Sequence, residues 1–385
     1  RDGIFCAGVE ETVTALGCLA SYNRIRAGIP VAAITGSNGK TTTRIMTAGV
    51  VSRRFETLST TGNLNNEIGL PLTLLKLSRS HKWAVVELGM NHTGEIERLA
   101  RICSPDIGII TNIGPAHLEG LVSLEGVMNA KGELIDGIRP DGAAVLNADD
   151  EMVMKLVRRT SKRVVLFGFS ENADVRASMI KVKRYSTSFT LLLPEETVDV
   201  NLPVSGRFMV ANALAAASVG YLAGIPASEI KAGLENIAPE KGRMNIFTLS
   251  NGITVIDDTY NANPRSMEEA IKTLSELRAD NRGVLVAGDM LELGEDSGKL
   301  HEKMGALCAE YGVARLYATG QFAGNTAKGA AGNGMNPNSI VTGSHDDILE
   351  DVTGWLAPGD WVLVKGSRGM RMEKIVFKLK EWAGE

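Results

Sequence analysis

The chain lacks several features that would have narrowed its class at once. No apolar run approaches the roughly 20 residues needed to span a bilayer, and no charged-then-apolar leader opens the 385 residues. A cytoplasmic protein is therefore expected. Cysteine is scarce: Cys6, Cys18, Cys103 and Cys308 lie far apart and form neither a CxxC pair nor a zinc spacing with the five histidines. Free buried thiols in a reducing compartment are the simplest expectation. Blocks of lysine and arginine are missing too, and a formal charge of −4 argues against nucleic acid or a membrane surface as the main partner. Neither a fixed-period repeat nor a low-complexity tract is visible.

What is present begins with AITGSNGKTTT, Ala33 to Thr43. An apolar strand, Val31 to Ile34, breaks into a glycine loop and restarts as a helix carrying a lysine and three threonines. That is the build of a phosphate cradle spanning Thr35, Gly36, Ser37, Asn38, Gly39, Lys40, Thr41 and Thr42. The glycines let the backbone curl so that successive N–H groups point inward, and the following helix adds its positive end. Lys40 supplies a mobile cation, and the Thr41 hydroxyl can reach magnesium. A nucleoside triphosphate with a metal is the implied ligand. The loop is shorter than GxxxxGK[ST], because Ile34 stands where the first glycine would be.

Organisation follows from alternation. Residues 1 to about 24 read as a connector with helical apolar spacing, and an N-terminus that starts at Arg1 is expected to be processed or incomplete. From residue 25 to 245, VAAIT, WAVVELG, DIGIITNIG and GAAVLNA read as strands separated by helices, which predicts a parallel sheet. The segment from Arg163 to Val204 differs, with RASMIKVKRYSTSFTLLLP and ETVDVNLPV reading as antiparallel strands, and Gly206 to Gly224 reads as a small-residue helix. A second alternating series fills 246–385: ITVIDD, GVLVAGD, RLYATG, SIVTG and WVLVKG. Two α/β domains are expected, with a joint near residues 242–250.

In open α/β sheets ligands sit beyond the carboxyl ends of strands. Glu87 ends the second strand, where a buried carboxylate needs a cation: magnesium held with Thr41, or a paired lysine. His117 follows the third strand, as a ligand or as a loop residue bonding its neighbours. Lys131 falls on the apolar stripe of its helix, with Val127, Met128, Leu134 and Ile135. Burial would favour its neutral amine, able to act as a base or to take up carbon dioxide as a carbamate; snorkelling past the apolar edge is the other account. Arg243 at the joint could reach a phosphate or ribose, and Asn212 an adenine edge; both have ordinary structural alternatives.

Taken together, ITGSNGKTTT, GNLNNEIGLPLTLL, ELGMNHTGEI, TNIGPAHLEG, NAKGEL, LNADD, DDTYNANP and GDMLELG closely resemble the Mur ligase family. The resemblance implies a central P-loop ATPase-like domain with a mostly parallel sheet, then a C-terminal Rossmann-like α/β domain. Its closest branch joins D-alanyl-D-alanine to UDP-N-acetylmuramoyl-tripeptide, using ATP and two Mg2+ ions through an acyl phosphate. By that likeness Lys40 binds the β and γ phosphates, Thr41 and Glu87 hold one Mg2+, and His117 with a carbamylated Lys131 holds the second. Asn212 would contact adenine, Arg243 the phosphates and Asp258 the ribose. Asn65, Asn66, His92, Asn261 and Asn263 would lie near the acceptor or the dipeptide. The enzyme is expected to act as a monomer, and the resemblance implies that residues 1–24 are a connector or the tail of the N-terminal domain that holds the UDP part in related enzymes, a domain the chain is expected to lack. Two alternatives stay open: a related ligase acting on folate or an amino-acid polymer, and a nucleotide-binding module without ligase activity.

Overall fold

Short strands of apolar and β-branched residues, each followed by a helix, set the architecture. The computed structural model describes residues 7–238 and 240–385; Cys6 lies outside them. The first body runs α1 (Thr12–Ala27), β1 (Val31–Thr35), α2 (Lys40–Val51), β2 (Thr57–Ser59), α3 (Gly69–Leu74), β3 (Trp83–Glu87), α4 (Glu95–Cys103) and β4 (Ile107–Ile110). It continues through α5 (Leu118–Leu121), α6 (Leu124–Asp136), β5 (Ala143–Asn147), α7 (Glu151–Val157) and β6 (Arg163–Gly168). Then come β7 (Val175–Val182), β8 (Thr187–Leu192), β9 (Thr197–Leu202), α8 (Arg207–Leu222) and α9 (Ala227–Glu235).

These strands form one nine-stranded sheet in the order β2-β3-β1-β4-β5-β6-β7-β8-β9. Every pairing from β2 to β7 is parallel, and only β7-β8-β9 is antiparallel. The two stretches read as antiparallel, RASMIKVKRYSTSFTLLLP and ETVDVNLPV, supply β7, β8 and β9, while β6 pairs in parallel with both of its neighbours. Side-chain alternation divides the core. Val31 and Ala33 of β1 face a cluster with Leu99, Ala100 and Leu134, whereas Ala32 and Ile34 face one with Met46, Val50 and Val210.

The amino-terminal segment is more than a connector. Helix α1 extends to Ala27 and packs on α3 and α4. It is pinned by Arg24, 2% exposed, whose guanidinium donates to the Cys103 and Ser104 carbonyls at 2.8 and 3.0 Å and pairs with Asp106 at 2.9 Å. Of the thiols, Cys103 and Cys308 are buried, which pushes both up to about 12, while Cys18 is exposed. The expectation of buried thiols fails for Cys18, which sits on the outer face of α1.

The second body comprises β10 (Asn245–Thr248), β11 (Thr254–Asp258), α10 (Pro264–Arg278), β12 (Gly283–Gly288), α11 (Ser297–Glu310) and β13 (Arg315–Thr319). It ends with α12 (Ala323–Gly332), β14 (Ile340–Thr342), α13 (His345–Trp355), β15 (Trp361–Lys365) and α14 (Glu373–Ala383). Its six-stranded sheet has the order β10-β11-β15-β12-β13-β14, parallel except at the β10 edge. The short edge strands β2 and β10, and helix α9, have no counterpart in the sequence reading. Both sheets aim the carboxyl ends of their central strands at the same cleft, of about 820 Å³.

Candidate active site

Close packing and positive backbone angles fix the shape of the glycine loop. Gly36 has φ 149°, and a Cβ there would stand 1.9 Å from the Thr111 hydroxyl; Gly39 has φ 79°, and its Cβ would meet Asn212 Oδ1 at 2.3 Å. Only glycine fits either position. The β4 exit holds the loop: Ser37 N–H donates to the Asn112 carbonyl, Asn38 N–H to Asn112 Oδ1, both at 3.0 Å, and Ser37 Oγ to the Gly114 carbonyl at 2.9 Å. Gly39 caps α2, so the first helical amides, from Lys40 to Thr42, keep no intrahelical acceptor and face the cleft.

Cations line the floor. Lys40 Nζ donates to the Gly36 carbonyl at 2.8 Å, and burial pulls its pKa below the usual lysine value, opposed by Glu87 and assisted by Arg243. Arg243 arrives from the joint between the bodies, donates to Thr41 Oγ1 at 2.9 Å and stacks 4.0 Å over the Tyr260 ring. Thr35, fully buried, and Gly36 lie beneath the loop, and Asn212 Oδ1 accepts from Thr43 at 3.3 Å beside Gly39.

Glu87 ends β3 at 3% exposure. Its Oε1 accepts from Asn65 Nδ2 at 2.9 Å, whereas Oε2 is buried without a hydrogen-bond partner, 3.6 Å from Arg44 Nε, which is also unpartnered. Such an orphaned oxygen suits a hard divalent cation that takes its remaining oxygens from phosphate and water. Among the described residues no three His, Cys, Asp or Glu side chains group into a metal cage.

Lys131, on the inner face of α6, is 1% exposed. Burial lowers its pKa well below the ordinary lysine value and the Lys40 charge lowers it further; among the described residues no acidic side chain acts in the other direction. It lies behind the cleft wall, while Lys40, Glu87 and His117 line the cleft itself. His117 Nδ1 meets Glu292 Oε2 of the second body at 2.6 Å, and this contact holds the Glu292 carboxyl below the usual range against the effect of burial.

The second body contributes further. Lys365, 2% exposed, pairs with Asp258 and donates to the Asn261 carbonyl at 2.9 Å. Asn263 caps α10 and reaches Asn38 Oδ1 in the glycine loop at 2.7 Å. Arg265 pairs with Asp150 at 2.8 Å across the bodies. Asn66 serves its own turn, accepting from Ile68 and Gly69 N–H groups, although it lines the cleft. His92 is exposed and does not line it. Arg44, Arg265 and Glu292 escaped the sequence reading; only Glu292, inside the quoted GDMLELG, carried a signal.

The family profile of the Mur ligase middle domain matches residues 34–220, and that of the Mur ligase, glutamate ligase domain, residues 242–368. The chain belongs to the Mur ligase family. A Mur ligase relative from Escherichia coli K12, UDP-N-acetylmuramoyl-tripeptide–D-alanyl-D-alanine ligase, is 39% identical over 380 residues, 97% of this chain and 82% of that one. The crystal structure of MurF from Acinetobacter baumannii superposes with a TM-score of 0.91 at 35% identity, covering 97% of this chain and 81% of that one. MurF from Thermotoga maritima, solved in complex with ADP, gives 0.88 at 28% identity, covering 100% and 86%. The α/β fold with mostly parallel sheets, expected from strand alternation, is the fold this chain adopts, and it is that of the Mur ligases, as the resemblance implied. No helix among the described residues is long and apolar enough to cross a membrane.

Proposed function

We propose that this chain is an ATP-dependent ligase that adds D-alanyl-D-alanine to UDP-N-acetylmuramoyl-tripeptide in peptidoglycan precursor synthesis. The observation that carries the reading is the single cleft in which Lys40, Glu87 and His117 of one body face Asp258, Asn263 and Lys365 of the other. The name borne by the Escherichia coli relative at 39% identity supports the substrate pair.

The residues account for the order of events. ATP phosphates occupy the free amides of Lys40 to Thr42, and Lys40 exchanges the Gly36 carbonyl for the β and γ phosphates. Asn212, beside the loop, is assigned to adenine, and Asp258 to the ribose. Arg243 lies at the phosphates, its guanidinium already fixed by Thr41 and Tyr260. A carboxylate has no leaving group, so its oxygen first attacks the γ-phosphorus, releasing ADP and leaving an acyl phosphate. The dipeptide amine then attacks the acyl carbon, the C–O bond to phosphate breaks, and the amide forms with loss of inorganic phosphate and a proton.

Both early reactants are anions, and the cationic floor lets them approach. Thr41 and Glu87 would hold one magnesium ion, and His117 with a carbamate on Lys131 a second; bound there, the ions would neutralise charge on the transferring phosphoryl group. The buried, unpartnered Glu87 Oε2 and the lowered pKa of Lys131 support these assignments. Asn65, held by Glu87, Asn66, and Asn261 and Asn263 of the second body border the space left for acceptor and dipeptide; His92, exposed and outside the cleft lining, takes no part in this assignment. Enclosure between the bodies keeps water from the acyl phosphate.

Mass spectrometry of the product made from ATP, UDP-N-acetylmuramoyl-tripeptide and D-alanyl-D-alanine tests the reading. The joined UDP-muramoyl-pentapeptide is expected only when all three are present. ATP binding with no product from this pair, or from folate and glutamate, would leave a nucleotide-binding module.

A further inference from the structure

Two residues without glycine's freedom adopt left-handed backbone where the bodies meet: His117 at φ 56° and Glu292 at φ 63°. Conformations of this kind persist where their surroundings impose them. The two side chains touch, Nδ1 to Oε2, at 2.6 Å. Backbone docking repeats the contact, since Glu119 N–H, two residues past His117, donates to the Glu292 carbonyl at 3.3 Å.

Glu292 is delivered by a tethered loop. Asp289 accepts the Gln321 and Phe322 amides, Met290 N–H donates to His301 Nε2 at 2.9 Å, and Leu291 N–H donates to Ser367 Oγ at 2.9 Å. The carboxylate is therefore fixed to the second sheet, while the histidine it meets is fixed to the first.

A carboxylate on one ring nitrogen selects the tautomer with the proton there, which leaves a lone pair on the other nitrogen and locks the ring plane. We propose that Glu292 is a positioning residue: by engaging Nδ1 from the second body, it presents His117 Nε2 to the cleft as a ligand for a divalent cation. This rests on the reading of His117 as a metal ligand in the proposed function. Because the orienting group belongs to the opposite body, the cation binds more tightly when the cleft is closed. By linkage, the bound cation favours closure by the same factor.

The test titrates Mn2+ into the full chain with a non-hydrolysable ATP analogue, reading free Mn2+ by electron paramagnetic resonance. Glu292→Gly removes the carboxylate at a position where glycine relieves the backbone, so its melting temperature should match or exceed that of the parent. It should weaken one bound Mn2+ by about 10- to 100-fold, the same ion that His117→Ala loses, and leave any other ion unchanged. Glu292→Gln, which keeps an acceptor oxygen without charge, should fall between. Small-angle scattering should find the Glu292→Gly complex more open than the parent complex. Unaltered Mn2+ affinity in Glu292→Gly would overturn the proposal whatever the turnover. A His117→Ala chain that loses no ion would overturn it too, while the ligase reading would still be judged separately by product formation in the parent.

Discussion

Lys131 is buried within reach of the Lys40 charge, and among the described residues no acidic side chain balances it. Two like cations in one low-dielectric region favour the neutral form of the more buried amine, and a neutral amine can add carbon dioxide. A carbamate there would exchange the repulsion for an attraction toward Lys40. Lys131→Ala should lower turnover by about 100-fold or more through loss of an oriented metal ligand, and millimolar acetate or formate should restore part of it. An unimpaired Lys131→Ala enzyme would remove the residue from the mechanism.

The glycine loop makes a separate prediction. A Cβ on Gly39 would strike Asn212 Oδ1 and demand a backbone at φ 79°, so Gly39→Ala should abolish measurable nucleotide binding by calorimetry. Lys40→Ala spares the loop and should retain weakened binding, with turnover down by about 100- to 1,000-fold from lost charge stabilisation. The two defects separate shape from charge.

Arg24 should matter for stability and not for chemistry. Its guanidinium satisfies two carbonyls and Asp106 at the base of α1, far from the cleft lining. Arg24→Ala leaves Asp106 and those carbonyls short of a partner and should cost about 3 kcal/mol in urea unfolding. Affinity for ATP should stay at the parent value. An unchanged unfolding midpoint would mean that α1 contributes nothing to the body it rests on.

His301 gives the pH dependence. Its Nδ1 donates to the Ser297 carbonyl at 2.7 Å and its Nε2 accepts from Met290 N–H, so the folded ring is neutral, and Asp289 at 3.7 Å is a neighbour rather than an ion-pair partner. Burial lowers its pKa from the usual 6.5, more than Ser297 and Asp289 raise it. The unfolded chain then binds more protons than the folded one below pH 6.5, so this contribution is fully present above that value and is lost as pH falls toward the folded pKa. His301→Gln should be less stable than the parent at pH 7.5, with the difference shrinking at pH 5.5 in urea unfolding.

Much of this was legible because burial writes a period into the sequence. Lys131 stood out as the one cation on an apolar helical stripe, and Glu87 as a carboxylate closing an apolar strand; the structure buries both. Nothing in RVVLFG records the direction of its partners, and β2 and β10, three and four residues long, are too short to show alternation. The pairs that join the bodies, His117 with Glu292, Asp150 with Arg265 and Asn38 with Asn263, were out of reach. Each links residues more than a hundred positions apart whose individual types are common at any surface.

Oxygen transfer tests the central claim, that this cleft activates a carboxylate with ATP, most directly. With 18O in both oxygens of the accepting carboxylate of UDP-N-acetylmuramoyl-tripeptide, one labelled oxygen should appear in each inorganic phosphate released, and one should remain in the new amide carbonyl. Phosphate without label, formed alongside the joined product, would contradict the account.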